Sequence, residues 1–343
     1  MHYAVLVLAA LLVVPATAIA KPSAKGEFLS RESVVNWADG YRHRPEPQRL
    51  PSAVKALSRA GALRDPENAG FHIGFVAAVL GANQALAEGL VKRMTPLPDS
   101  DQWVVVRGIA YSGLPGWKDL LRNAAPRLPA RQAMIDQYLA GTLPTLDRIE
   151  LDKSPSFFEK MQMHAGIKLK GPDVSFGKNP ELLDTLWGQY FATGDYRPLY
   201  RIMGMLPWSK DRDSVERLTV GSMAKVTLAN NATMYPDILV LLKSMAKYQP
   251  DEVKGPLDEV VQAAETAQAP RLKKEALANI EELKRKGPGF RREMTLWGTV
   301  GQGAIALGCI AAAVVSLTAA GIPCVIGGAV ASAGLSYWSA AGQ

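Results

Sequence analysis

Residues 181–206 read ELLDTLWGQYFATGDYRPLYRIMGML, and this stretch decides the fold class. Leu183, Trp187 and Tyr190 fall at i, i+4 and i+7, with Leu186 and Phe191 beside them. That spacing is one apolar face of a helix. Gly194 stands where a C′ residue takes a positive φ, and Asp195 is placed to cap the helix that follows. The second helix would present Leu199, Ile202, Met203 and Leu206 on one side. The stretch therefore predicts two antiparallel helices joined by a tight turn.

The same pattern extends in both directions. Downstream, a helix from about Asp213 to Asn230 precedes one opened by Pro236, a good first residue, which carries Ile238, Leu241, Leu242 and Met245. Another is built on Leu257, Val260, Val261 and Ala264, and Pro270 breaks it. A basic amphipathic helix then runs through Leu272, Ala276, Ile280 and Leu283. Upstream, Phe71, Phe75, Val76, Val79 and Leu80 share a face, Gly81 interrupts, and Leu86, Leu90 and Val91 make a second stripe. Asp99 and Asp101 are placed to cap a helix through Trp103, Val106 and Ile109, with a strand at Val104–Val106 as the alternative. A short helix follows through Trp117, Leu120 and Leu121. Residues 21–66 are polar and dotted with prolines, which reads as a leader ending in a first helix near Ala53–Ala60. The expectation is an all-α chain, with an irregular α-solenoid or helical-hairpin array over 67–286. A compact, non-repetitive helical domain is the competing arrangement, because no fixed period repeats.

Leu186-Trp187 and Ala192-Thr193-Gly194-Asp195, together with Leu228-Ala229-Asn230-Asn231-Ala232 and Tyr235-Pro236, resemble a motif of exported bacterial helical-repeat-like proteins of unknown function. The resemblance covers 181–236. It implies an exported helical protein and assigns no activity.

The two ends of the chain differ from its middle. Residues 1–20 run MHYAVLVLAALLVVPATAIA, an apolar core followed by small residues at the −3 and −1 positions ahead of Lys21, as in a cleaved signal peptide. Met1-His2-Tyr3 lacks the usual Lys or Arg, and an uncleaved anchor is the alternative. From Thr295 to Gln343 there is no Asp, Glu, Lys or Arg. Residues 294–320 are long enough for one span, Gly321-Ile322-Pro323 makes a turn, and a second apolar run follows. Small residues recur at Gly303, Gly308 and Ala312 and again at Gly328, Ser332 and Ser336, rows that let helices approach closely in lipid. A hydrophobic hairpin over 294–340 is therefore expected, with one span plus a re-entrant end, or a soluble buried hairpin, as alternatives. A tight hairpin leaves Cys309 and Cys324 about 15 Å out of register at ~1.5 Å per residue, so the two thiols should be free. Lys284, Arg285, Lys286, Arg291 and Arg292 precede it and suit anionic headgroups.

Candidate chemistry is sparse. The net charge of +7 and a hydrophobic content of 48% describe a folded, basic protein. The four histidines, His2, His43, His72 and His164, share no helix face, and no metal motif occurs. His72 reads as a core-edge or surface side chain. Gly301-Gln302-Gly303-Ala304-Ile305-Ala306 has the spelling of a dinucleotide loop, but no acidic residue follows it. Asp99/Asp101 and Asp211/Asp213 are carboxylate pairs at helix starts, where such residues usually cap the helix and favour its positive dipole end. Trp117 and Trp208, if exposed, can stack on sugars or bases; packing is the commoner use of such side chains. Asn231-Ala232-Thr233 is a sequon by spelling only.

The sequence thus points to an exported, envelope-associated helical scaffold that meets lipid through its tail and a protein through its middle. No cofactor, metal, catalytic residue or nucleic-acid partner is expected. A secreted membrane-inserting protein and a cell-wall enzyme are the alternatives.

Overall fold

The computed structural model describes residues 28–64, 69–149 and 180–286. Those residues are all-α: thirteen α-helices and no strand. In chain order they are α1 (Arg31–Gly40), α2 (Leu50–Arg59), α3 (Gly70–Ala82), α4 (Ala87–Met94), α5 (Trp103–Ala110), α6 (Trp117–Ala124) and α7 (Gln132–Ala140). After residue 179 come α8 (Pro180–Thr193), α9 (Tyr196–Met203), α10 (Val215–Met234), α11 (Pro236–Ala246), α12 (Asp251–Glu265) and α13 (Ala269–Lys286). The signal-like segment, the tail with its expected hairpin and thiols, Arg291, Arg292 and His164 lie outside the described residues.

The core is organised around α3. Every residue from Gly70 to Leu80 is buried, so this helix is apolar on all sides and has no solvent face. Its main partner is α8, far along the chain. Glycines set the approach. A Cβ on Gly74 would lie 1.9 Å from the Thr185 carbonyl oxygen, and one on Gly188 would lie 2.1 Å from the Phe71 carbonyl oxygen. Backbone oxygens cannot swing aside, so both positions require glycine. The side chains flanking this seam, Phe71, Ile73, Trp187 and Phe191, are fully buried.

The α8–α9 turn forms as its sequence requires. Gly194 has φ 68°, its N–H donates to the Tyr190 carbonyl at 2.7 Å, and Asp195 accepts from the Arg197 N–H at 2.9 Å. Ser214 caps α10 by accepting from the Arg217 N–H, and Pro236 opens α11. The longest of the described helices, α10, packs against α11, α12, α13 and the 3₁₀ turn Leu206–Lys210. Gly221 admits that turn, since a Cβ there would lie 2.4 Å from the Trp208 carbonyl carbon.

Several local expectations are corrected. The span read as a polar leader also contains α1, whose Val34, Val35 and Ala38 are buried. Val104–Val106 is helical and fully buried, as the preferred reading has it, and the strand alternative falls away. Gly81 does not interrupt α3, which runs on to Ala82; a Cβ there would sit 2.2 Å from the Ser112 carbonyl oxygen. Neither Asp99 nor Asp101 caps α5, whose N-cap is Gln102. Asp101 is buried and accepts from the Ser58 and Ser100 hydroxyls at 2.5 and 2.7 Å. Leu86 is exposed rather than part of an apolar stripe. Among the described residues no single helix is long and apolar enough to cross a membrane; α3 and α4 pass together only as a pair bent by 100°.

Candidate functional site

An open concavity lies between the α5–α6 corner and the end of α7. It is a cleft of about 260 Å³, and its lining includes Leu114, Trp117, Lys118, Tyr138, Thr145, Asp147 and Arg148. Trp117 is half-buried, Tyr138 is buried, and Lys118, Asp147 and Arg148 are exposed at the rim. The Trp117 and Tyr111 rings both meet the Tyr138 ring edge-on, at centroid distances of 6.5 Å. Behind Tyr138, Arg107 pairs with Glu181. Burial alone would lower the Arg107 pKa, but the Glu181 carboxylate together with Tyr111 and Tyr138 outweighs it and holds the guanidinium charged. Burial pushes the Tyr111 and Tyr138 phenols up, so both stay protonated donors.

The cleft walls are tied together by the chain's own hydrogen bonds. Lys118 Nζ donates to the Leu139 carbonyl at 3.1 Å, bridging α6 to the end of α7. Gly141 ends α7 with φ 76°. The following turn, Leu146–Arg148, is held from α9, where Arg201 donates to the Leu146 and Ile149 carbonyls at 3.2 and 2.6 Å. The side chains of Asp147 and Arg148 therefore stand on a fixed backbone.

A second cluster surrounds Arg42, just past α1. Its guanidinium is buried, with a relative exposure of 3% against 45% for its partner Asp237. Nε and Nη2 donate to the two Asp237 oxygens at 3.2 and 3.3 Å, and Nη1 donates to the Asp39 carbonyl at 3.3 Å. Three rings enclose it, Tyr235 at 4.6 Å, Phe191 at 4.9 Å and Tyr190 at 5.6 Å. Tyr235 Oη donates to Asp39. Burial and the Asp237 charge push Tyr190 up to about 12. Burial would raise Asp237, but the hydrogen bond and charge of Arg42 hold it below the usual carboxylate range. This cage joins α1, α8 and the α10–α11 corner and is satisfied internally, so it reads as a structural clasp.

The outer face of α9 is different. Tyr196 and Tyr200, one turn apart, are 56% and 52% exposed, with Arg197 exposed between them. Buried beneath them are Pro198, Leu199, Ile202 and Met203. Tyrosine and arginine are the side chains most used as anchors in protein interfaces.

His72, expected at the core edge or surface, is instead buried on α3 beside a small cavity of about 10 Å³ lined by α1, α2 and α3. Its Nε2 has no hydrogen-bond partner. Burial lowers its pKa to about 3, and the Arg31 charge adds to the effect.

The residues singled out in the sequence fall as follows. Trp117 lines the cleft, whereas Trp208 is buried and packs helices. Asn231 is buried and donates to the Thr227 carbonyl at 2.9 Å, so the sequon is inaccessible. Asp211 accepts from the Asp213 and Ser214 N–H groups at 2.7 and 2.8 Å in the turn before α10. Lys284, Arg285 and Lys286 form the last turn of α13. Upstream of them the exposed α13 side chains are mixed in sign, Arg271 and Lys274 against Glu275, Glu281 and Glu282, so the basic character is confined to its end. Gly303, Gly308, Ala312, Gly328, Ser332 and Ser336 lie outside the described residues. Among the described residues no three His, Cys, Asp or Glu side chains converge as a metal site requires.

The two halves of the 181–236 stretch that carries the resemblance meet in space. Trp187 Nε1 donates to Thr227 Oγ1 at 3.0 Å, and the Phe191 and Tyr235 rings pack edge-on at 5.5 Å. The chain matches no family model, no curated protein and no solved structure.

Proposed function

We propose that this chain is an exported, envelope-associated helical scaffold for protein–protein interaction, held at a membrane by a hydrophobic hairpin over 294–340. The observation that carries the reading is the change of character after α13: a folded helical body leads through Lys284, Arg285, Lys286, Arg291 and Arg292 into a stretch with no charged residue from Thr295 to Gln343. Such a stretch is suited to hydrocarbon, and the basic residues before it are suited to anionic headgroups, each contributing about 1 kcal/mol near the surface. Gly303, Gly308, Ala312, Gly328, Ser332 and Ser336 would pack the two hairpin helices against each other.

In this reading α8–α13 is an irregular hairpin array: α8 with α9, α10 with α11, and α12 with both α11 and α13 are in contact. The face of α9 with Tyr196, Arg197 and Tyr200 is the surface offered to a protein partner. Alkaline carbonate extraction of membranes from cells making the full-length chain tests the anchor. The protein should stay with the pellet, and removal of residues 294–343 should release it. Full-length protein in the supernatant would end the proposal.

A further inference from the structure

We propose that the cleft between the α5–α6 corner and the end of α7 is a carbohydrate subsite that takes one pyranose ring, with Trp117 as the stacking platform and Asp147, Arg148, Lys118 and Thr145 as hydroxyl partners. This goes beyond the scaffold reading and does not depend on the anchor.

Size is the first argument. The cleft holds about 260 Å³, just under the ~300–1,000 Å³ of sites for drug-sized ligands. It suits a single ring, and it is too small for a folded peptide segment or a lipid chain with its headgroup. Lining chemistry is the second. A pyranose has one face of C–H groups and an edge of hydroxyls. An aromatic side chain meets the first, and groups that both donate and accept meet the second. The half-buried Trp117 meets Tyr138 edge-on, and Lys118 Nζ stands 5.7 Å from its ring centroid on one face, which leaves the other face to a sugar.

Charge at the rim discriminates between ring-shaped ligands. Lys118 and Arg148 are positive and Asp147 is negative, all three exposed. A phosphate or nucleotide would face the carboxylate as well as the cations. A neutral polyol has no such conflict: its hydroxyls donate to Asp147 and accept from Arg148 and Lys118. Hydrogen bonds to charged groups are the stronger kind. Preorganisation is the third argument. Asp147 and Arg148 sit on a turn that Arg201 pins through two carbonyls, and Lys118 is oriented by its bond to the Leu139 carbonyl. Little ordering therefore remains to be done on binding.

The test uses the full-length chain with glucose, galactose and N-acetylglucosamine as probes, and with inorganic phosphate and adenosine monophosphate as controls. Saturation-transfer NMR detects contact and, as a function of sugar concentration, gives the titration for the parent chain and the variants alike. At least one sugar should bind saturably in the millimolar range. Trp117→Ala and Asp147→Asn should each weaken it at least about tenfold, with the far-UV circular dichroism unchanged. Tyr200→Ala, on the α9 face, should leave it unaltered. Asp147 is exposed, so its variant keeps the test valid if Trp117→Ala fails to fold. Absence of saturable sugar binding, equal binding by both variants, or preference for phosphate or the nucleotide would overturn the proposal.

Discussion

The α3–α8 seam and the cleft beside α7 show two ways of spending the same helical material. At the seam, small residues bring two backbones together, and a Cβ on Gly74 would come within 1.9 Å of a carbonyl oxygen. Side chains with charge are absent from the α3 half of that contact. At the cleft, aromatic rings meet edge-on and leave a gap that polar and charged groups surround. The first arrangement tolerates no added atom and offers nothing to a ligand. The second leaves room and supplies several kinds of partner.

Adding an isopropyl group at the seam should produce the largest effect. Gly74→Val forces the backbones apart, and overpacking of this kind costs about 1–3 kcal/mol or more. With backbone on both sides, we expect the upper end or loss of soluble folded protein, read from urea unfolding. A change below ~1 kcal/mol would show that the seam is loose and the contrast false.

Next is the clasp. Arg42→Met removes a buried guanidinium that three rings and Asp237 enclose. Breaking a fully buried pair costs about 3–5 kcal/mol; because Asp237 is half exposed and can be hydrated, about 2 kcal/mol is expected. A loss near zero would mean that the rings close over the gap.

Acid should act through His72. Its folded pKa, about 3, lies below the ~6.5 of an unfolded histidine. Below pH ~6.5 the unfolded chain takes up a proton that the folded chain refuses, so stability falls as pH falls, by up to about 1.4 kcal/mol per unit. Between pH 6.5 and 5 the loss should be about 1.6 kcal/mol, above the range in which Asp and Glu protonate. Urea midpoints over that interval should be much flatter for His72→Leu. Equal slopes for the two proteins would place the imidazole in contact with water.

The smallest effect is expected on α9. Tyr200→Ala should change stability by less than ~0.5 kcal/mol, as for most exposed positions, while weakening capture of any partner held by this face. A large drop in the melting temperature would make Tyr200 a packing residue and remove the case for the surface.

What was legible in the sequence was local. The helix pair at 181–206, with Gly194 and Asp195 at its turn, formed as its spacing required, because apolar period and capping chemistry both act within a few residues. Val104–Val106 left a strand open as an alternative for the opposite reason. Three β-branched residues in a row favour a strand locally, yet all three are buried in a helix. Helix α1 escapes notice because few apolar residues lie among Arg31, Glu32 and Asp39. The pairing of α3 with α8 left no readable mark: Gly74 and Gly188 look like punctuation until the carbonyls of Thr185 and Phe71 are seen against them. At the cleft, Trp117 stood out from sequence. Asp147 and Arg148 did not, since they sit in an aperiodic turn positioned by Arg201 from a distant helix.

Helix α3 also sets a timetable. It is apolar all round, and its main partner is not synthesised until residues 180–193. Until then the first half of the chain carries a helix with nowhere to bury one of its sides. Closure of the core is thus a late, long-range event, of the kind that slows folding. A nascent chain ending before α8 should remain open and bind chaperones, and the same chain extended past Thr193 should become protease-resistant.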